Sequence, residues 1–260
     1  ISGFLALALD FMKAHPEVAG VGGQRIEKNP ASQESIARQA WTQQHFQPGS
    51  VERLDGGGLY RRSAIEAAGY LSDRNLHSHE ECELALRLRS LGWELCCLPM
   101  NMVRHFGHET PPYQLLLQHW RTGQLCGLGE LLRSSAGQPR LRLVRQELRE
   151  LLLYLGILVW WVLLLSTPFW PLPPVMRLGG FGALLGAALL LALWRQGSWR
   201  QAVYAIVSGC FHAAGLVRGL LQPRQSTSEA IASQILREPM DFPVRPTIRK
   251  LSPGQPYKPY

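Results

Sequence analysis

The chain has 260 residues, with 27 Lys and Arg against 19 Asp and Glu, a formal charge of +8. Hydrophobic residues make up 46% of it, which excludes a disordered polyelectrolyte and leaves room for one soluble domain plus something smaller. Cys82, Cys96, Cys97, Cys126 and Cys210 form no CxxC pair, so reduced, buried thiols are expected rather than a disulfide framework or a zinc site. In chain order, residues 3–14 have the apolar spacing of a helix. Residues 16–23 (PEVAGVGG) predict a turn, a short strand and a glycine turn. Residues 24–54 are polar and aperiodic. Gly56-Gly57-Gly58 predicts a turn, followed by an extended piece at Leu59–Arg61 and a helix from about Ser63. Residues 77–93 predict a helix with Leu84, Leu88 and Leu91 on one face, ending at Gly92. A strand, a break at Pro99 and a second extended piece to His105 come next. An amphipathic helix then follows, interrupted by Gly123, Gly127 and Gly129. Short strands alternating with helices indicate an α/β domain over residues 1–135.

Beyond a basic segment at 136–150, the residues from 151 to 221 are almost wholly apolar. Leu151–Trp170 carries no charge and is long enough to cross a ~30 Å hydrocarbon core. Pro171–Pro174 (PLPP) forces a turn. Leu178–Trp194 is a second uncharged stretch, rich in Gly and Ala, which lets membrane helices approach closely. Ala202–Val217 is a third and weaker segment that contains His212 and is followed by Arg218; it is expected to span, re-enter or lie at the interface. Arg133, Arg140, Arg142, Arg145 and Arg149 gather beside this block. The basic charge therefore reads as a cytoplasmic membrane flank, not a nucleic-acid surface. Residues 222–260 form a proline-rich tail expected to be extended or disordered.

Three groups of residues carry candidate chemistry. Glu80, Glu81 and Glu83 place three carboxylates at a helix start, where they suit either a catalytic base or simple capping and dipole compensation. Gly56, Gly57 and Gly58 before Leu59, Tyr60, Arg61 and Arg62 permit close backbone approach to a ligand, or form an ordinary turn. His105 and His108 follow a strand, where an imidazole ligates a metal, acts as a base or merely fills space.

The order and spacing of these groups resemble the second half of a family 2 glycosyltransferase of the GT-A fold. The carrying residues are Gly56–Arg62, Ala68-Gly69-Tyr70, Glu80-Glu81, Glu83-Leu84 through Gly92-Trp93, Pro99 and His105. The match covers roughly residues 1–135, and the apolar block suits membrane-attached members. The resemblance implies an inverting transfer from a nucleotide-sugar donor to an acceptor hydroxyl. In that reading Glu81 is the base, and Gly56, Gly57, Gly58, Tyr60 and Arg61 form the acceptor wall. Glu80 and Glu83 support the base, and His105 serves as a metal ligand. A Mg²⁺ or Mn²⁺ cofactor is implied, held mainly by a DxD motif. No two of Asp10, Asp55, Asp73 and Asp241 form one, so the donor half is expected upstream of Ile1. Glu81 stands where the family usually has Asp. The residues of a processive QxxRW motif occur out of order, as Gln118-His119-Trp120-Arg121, which favours single addition over polymer synthesis. The implied partners are the donor, a lipid-linked or glycan acceptor, and the bilayer of a cytoplasmic (inner) membrane, crossed more than once. The competing readings are a processive polysaccharide synthase and, from another class, a non-catalytic membrane anchor.

Overall fold

The computed structural model describes residues 3–28, 47–106, 110–138, 141, 144, 150–227 and 229. Helix α1 (Phe4–Ala14) buries Ala8 and Met12, four residues apart, on one stripe. It lies on Val18 and Val21 of β1 (Val18–Lys28) and on Cys96 and Leu98 of β4 (Glu94–Phe106). Alternation sends Ala19 and Leu95 to the other side of the sheet. There they meet Leu54, Ala64 of α2 (Arg62–Ala68), and Leu84, Ala85 and Leu88 of α3 (Glu80–Ser90). The sheet is mixed, in the order β2-β4-β1-β3, where β2 is Gly49–Ser50 and β3 is Leu59–Tyr60. β1 and β4 run parallel, and the two short strands pair antiparallel at the edges.

Two expectations from the sequence are corrected here. The glycine turn after Val21 does not form, because β1 continues through Gly22 and Gly23 to Lys28. Pro99 does not break β4 either. The register jumps from Gly22↔Cys97 to Gln24↔Asn101, so a bulge absorbs the proline and the residues beside it. Gly23 suits this bulge, since a Cβ there would stand 2.6 Å from the Met100 carbonyl oxygen.

The second half of the chain is helical. Helix α4 (Pro112–Thr122) ends at Gly123, whose φ of +83° reverses the chain. After a 3₁₀ turn at Gln124–Cys126 comes α5 (Gly127–Ser135). Gly127 and Gly129 therefore lie inside a helix and do not interrupt one. Three helices follow: α6 (Glu150–Ser166, extended by a 3₁₀ turn to Phe169), α7 (Pro174–Gln196) and α8 (Trp199–Leu221). All three are long and apolar enough to cross a membrane by length and composition. Arg177 fixes the PLPP turn between α6 and α7 by donating to the carbonyls of Leu172 and Pro168.

Helix α8 differs from its two neighbours, because its carboxyl-terminal half is built into the soluble part. Gly129 of α5 lies against the backbone of Leu216, Gly219 and Leu220. In return, Gly215 and Gly219 lie against Leu125 and Cys126. Leu76, Cys82, Leu86, Leu128 and Leu131 of the soluble part share one core with Tyr154 of α6 and Ala213 and Leu216 of α8. After α8 the chain remains beside the sheet domain. Arg224 pairs with the buried Asp73 at 3.1 Å, and Asn75 and Gln225 exchange hydrogen bonds of 2.9 and 2.7 Å. The basic residues Arg140, Arg142, Arg145 and Arg149, and most of the proline-rich tail, lie outside the described residues.

Candidate functional site

The site forms where the 55–60 turn meets the amino terminus of α3. Asp55 pairs with Arg25 of β1 at 3.2 Å, with both side chains largely buried, and this fixes the start of the turn. Gly56 and Gly57 follow with φ of +75° and +94°, the left-handed region that glycine enters without cost from a Cβ. Gly56 also needs its small size, since a Cβ would stand 3.3 Å from Val103 Cγ1. The turn aims the Gly57 amide at Glu81, which accepts its hydrogen bond at 2.7 Å.

Glu81 is half-buried in the first turn of α3. Burial pushes its carboxyl above the usual carboxylate range. The Gly57 and Gly56 amides oppose that shift, and the charges of Asp55 and Glu80 add to it. Tyr60 lies nearby, with its ring held over the bare Gly20 backbone of β1. Burial, and after it the Glu81 charge, raises the Tyr60 phenol, so it is a neutral hydroxyl at neutral pH. The arrangement is therefore a carboxylate on a backbone amide, beside a phenol and a second carboxylate. A base in such a place can accept a proton from a hydroxyl brought within hydrogen-bond reach.

The other residues singled out in the sequence divide between this site and the scaffold. Gly58 shapes the turn from below, where a Cβ would meet Leu54 and the Val21 carbonyl. Glu80 is half-buried and bears on Glu81 through its charge. Glu83 is fully buried and ion-paired with Arg87, whose Nε is shared between its two carboxylate oxygens at 2.8 and 2.9 Å. Arg87 also donates to the carbonyls of Ala68 and Tyr70 and lies 3.7 Å over the Tyr70 ring. Glu83 thus locks α3 to the end of α2. Arg61 is committed to the scaffold as well: its guanidinium donates to the carbonyls of Met12, His15 and Val18, bracing the α1–β1 turn. Arg62 stands in solvent and pairs with Glu66.

His105 lies two residues beyond Val103 on β4, in regular register with β1, and so on the sheet face that meets Gly56. His108 lies outside the described residues. Among the described residues no three of His, Cys, Asp and Glu converge in a manner that would hold a metal ion. With Asp55 paired to Arg25, they do not by themselves fit a divalent cation.

Two residues at the site escaped sequence reasoning. Asp55 had a visible signal, an acid directly before three glycines. His79 had none. It precedes Glu80 with a φ of +67°, the one left-handed non-glycine among the described residues. Its ring bonds the Ser78 hydroxyl at 3.0 Å, and that hydroxyl donates to the Gln124 carbonyl at 2.7 Å. Burial pushes the imidazole down to about 4, with Arg53 and His212 of α8 adding to the shift. His212 in turn stacks on Tyr154 of α6. His79, at the start of the acidic helix, thus lies within electrostatic reach of α8. The chain matches no family model, no curated protein and no solved structure.

Proposed function

We propose that the chain is the acceptor-side part of a membrane-attached, inverting glycosyltransferase of the GT-A fold, acting on a nucleotide-sugar donor and a lipid-linked or glycan acceptor. The observation that carries this reading is the Glu81 carboxylate, raised by burial and held on the Gly57 amide at 2.7 Å. A sugar hydroxyl is a weak nucleophile near neutral pH. Glu81 takes its proton as the oxygen attacks the anomeric carbon, and a base with a raised pKa serves that step better than an ordinary carboxylate. The Gly56–Gly58 backbone and the Tyr60 phenol flank the hydroxyl and orient it. Glu80 and Asp55 keep Glu81 basic through their charge. Apolar helices rooted beside α3 suit an acceptor presented at a membrane surface. Mg²⁺ or Mn²⁺, held by residues outside this chain, would answer the charge that develops on the nucleoside diphosphate.

The test is the substitution Glu81→Gln in the full-length enzyme, which keeps the acceptor oxygen for Gly57 and removes the base. Sugar transfer is expected to fall by about 10²–10⁴-fold, with nucleotide-sugar binding by calorimetry unchanged. Transfer within a few-fold of the unaltered protein would reduce Glu81 to a tie between turn and helix, and would favour a non-catalytic anchor.

A further inference from the structure

Helices α6, α7 and α8 enclose a cleft of about 570 Å³. α6 and α7 run antiparallel, so the cleft has two distinct ends. At one end Trp160 donates its indole N–H to the Leu184 carbonyl at 3.1 Å and ties the two helices together as a floor. At the other end stand Arg195 and Gln196, at the end of α7 that leads into α8 and so back toward the sheet domain. The walls between include Gly156 and Ala188, small residues that leave a slot rather than a filled seam. Leu184 and Arg195 are eleven residues apart, roughly 16 Å of helix. That depth is about half of a ~30 Å hydrocarbon core, hence one leaflet. Arg195 is exposed and has no carboxylate partner among the described residues.

We infer that this cleft is a binding site for one anionic phospholipid of the sheet-domain leaflet, with its acyl chain in the slot and its phosphate on Arg195. A zwitterionic phospholipid would fill the slot equally well, but its choline cation would offset the charge that its phosphate brings to the guanidinium. An isoprenoid carrier many units long would overrun a floor set one leaflet deep. The site stands apart from Glu81 and does not depend on the transfer reaction.

Native mass spectrometry of the full chain, stripped of lipid in neutral detergent, tests this with phosphatidylglycerol and phosphatidylcholine of identical chains. One phosphatidylglycerol per chain is expected to bind about fivefold more tightly than phosphatidylcholine, the effect of one arginine near a membrane surface. Arg195→Gln, a change at an exposed position, is expected to abolish the preference while both lipids still bind. Ala188→Phe is expected to weaken both. Glycerol phosphate alone, without a chain, is expected not to compete. Equal affinities in the unaltered protein, or a preference that survives Arg195→Gln, would overturn the assignment of an anionic headgroup to Arg195. Unchanged binding in Ala188→Phe would overturn the slot. Competition by glycerol phosphate would make it a plain anion site, and tighter binding of a long polyprenyl phosphate would make it a carrier site.

Discussion

At the scale of single residues, Glu81 and His79 give opposite pH signatures. Glu81 is an acid whose folded pKa is raised, so the folded chain holds its proton more tightly than the unfolded one does. Its contribution to stability is complete below the ordinary carboxylate range and is lost as pH rises through the raised value. Glu81→Gln should therefore melt at the same temperature as the unaltered protein in acid and at a higher one near pH 7. Scanning calorimetry across pH checks this, and a gap that stays constant or closes with rising pH would contradict it. The same substitution ends transfer in our reading, so the site would trade stability for chemistry. His79 is a base whose folded pKa is depressed from 6.5 to about 4. Its contribution is complete above pH 6.5 and is lost as pH falls toward 4, up to about 3 kcal/mol at that end. His79→Asn keeps a residue that tolerates the left-handed backbone and should flatten this acid limb. An unaltered limb in that variant would assign it to another group. Glu83 was read from the sequence as a support for the base, whereas its place four residues before Arg87 on one helix makes it that residue's ion-pair partner. The Glu81–Gly57 bond was not legible in the sequence, because it joins positions 24 residues apart through a turn whose direction depends on two positive φ angles.

Among the elements, the crossing of α5 and α8 decides how the apolar helices join the rest. It is made by glycines on both sides, which allow backbone to touch backbone. A methyl group at Gly219 would run into the Cys126 carbonyl, and backbone cannot swing aside as a side chain can. Gly219→Ala should cost about 1–3 kcal/mol in thermal unfolding in detergent. Gly186→Ala, on an α7 surface with open space around it, should cost nothing or gain slightly through helix propensity. Equal effects would mean that the crossing is not closely fitted. Of these glycines only Gly129 stood out in the sequence, and as an interruption, because a packing glycine and a breaking glycine look alike without the partner helix. Gly123 breaks a helix and Gly129 joins two. Leu91 was misassigned for a related reason: it follows the last turn of α3 and is 52% exposed, while Leu84 and Leu88 are buried as their spacing implied. The bulge at Pro99 had no signature apart from the proline itself, and only the register against β1 shows the strand surviving it.

For the whole molecule, the central question is how often the chain crosses the bilayer. Three helices qualify by length and composition. Yet the chain leaves α8 bonded to Asp73 and Asn75 of the sheet domain, the side from which α6 departs. An even number of crossings satisfies this and an odd number does not. α6 and α7 are therefore expected to cross, with α8 lying along the interface. From the Lys/Arg bias, Arg195, Arg200 and Arg218 are then expected on the cytoplasmic side, together with the sheet domain. Single cysteines at Ser166, Ser198 and Ser252, in a background without the native five, should react with an impermeant reagent at Ser166 alone. Outside labelling at Ser252 would establish three crossings. The first two spans were legible in the sequence as uncharged stretches of sufficient length. The full reach of α8, Trp199–Leu221, was not, because its glycine-rich end is less apolar than a lipid-facing helix and owes its burial to α5.

The clasp that closes around Asp73 also sets an order of assembly. Its two halves lie 151 positions apart in the chain, and Arg224 can reach the carboxylate only after all three apolar helices have been synthesised and set in place. Until then the sheet domain holds a carboxylate destined for complete burial with only Asn75 to answer it. Asp73 therefore acquires its arginine only once the last apolar helix has been made. A contact between positions so far apart in the chain forms late and slowly compared with local ones. A chain whose apolar helices are not in place would leave one oxygen of Asp73 without its arginine.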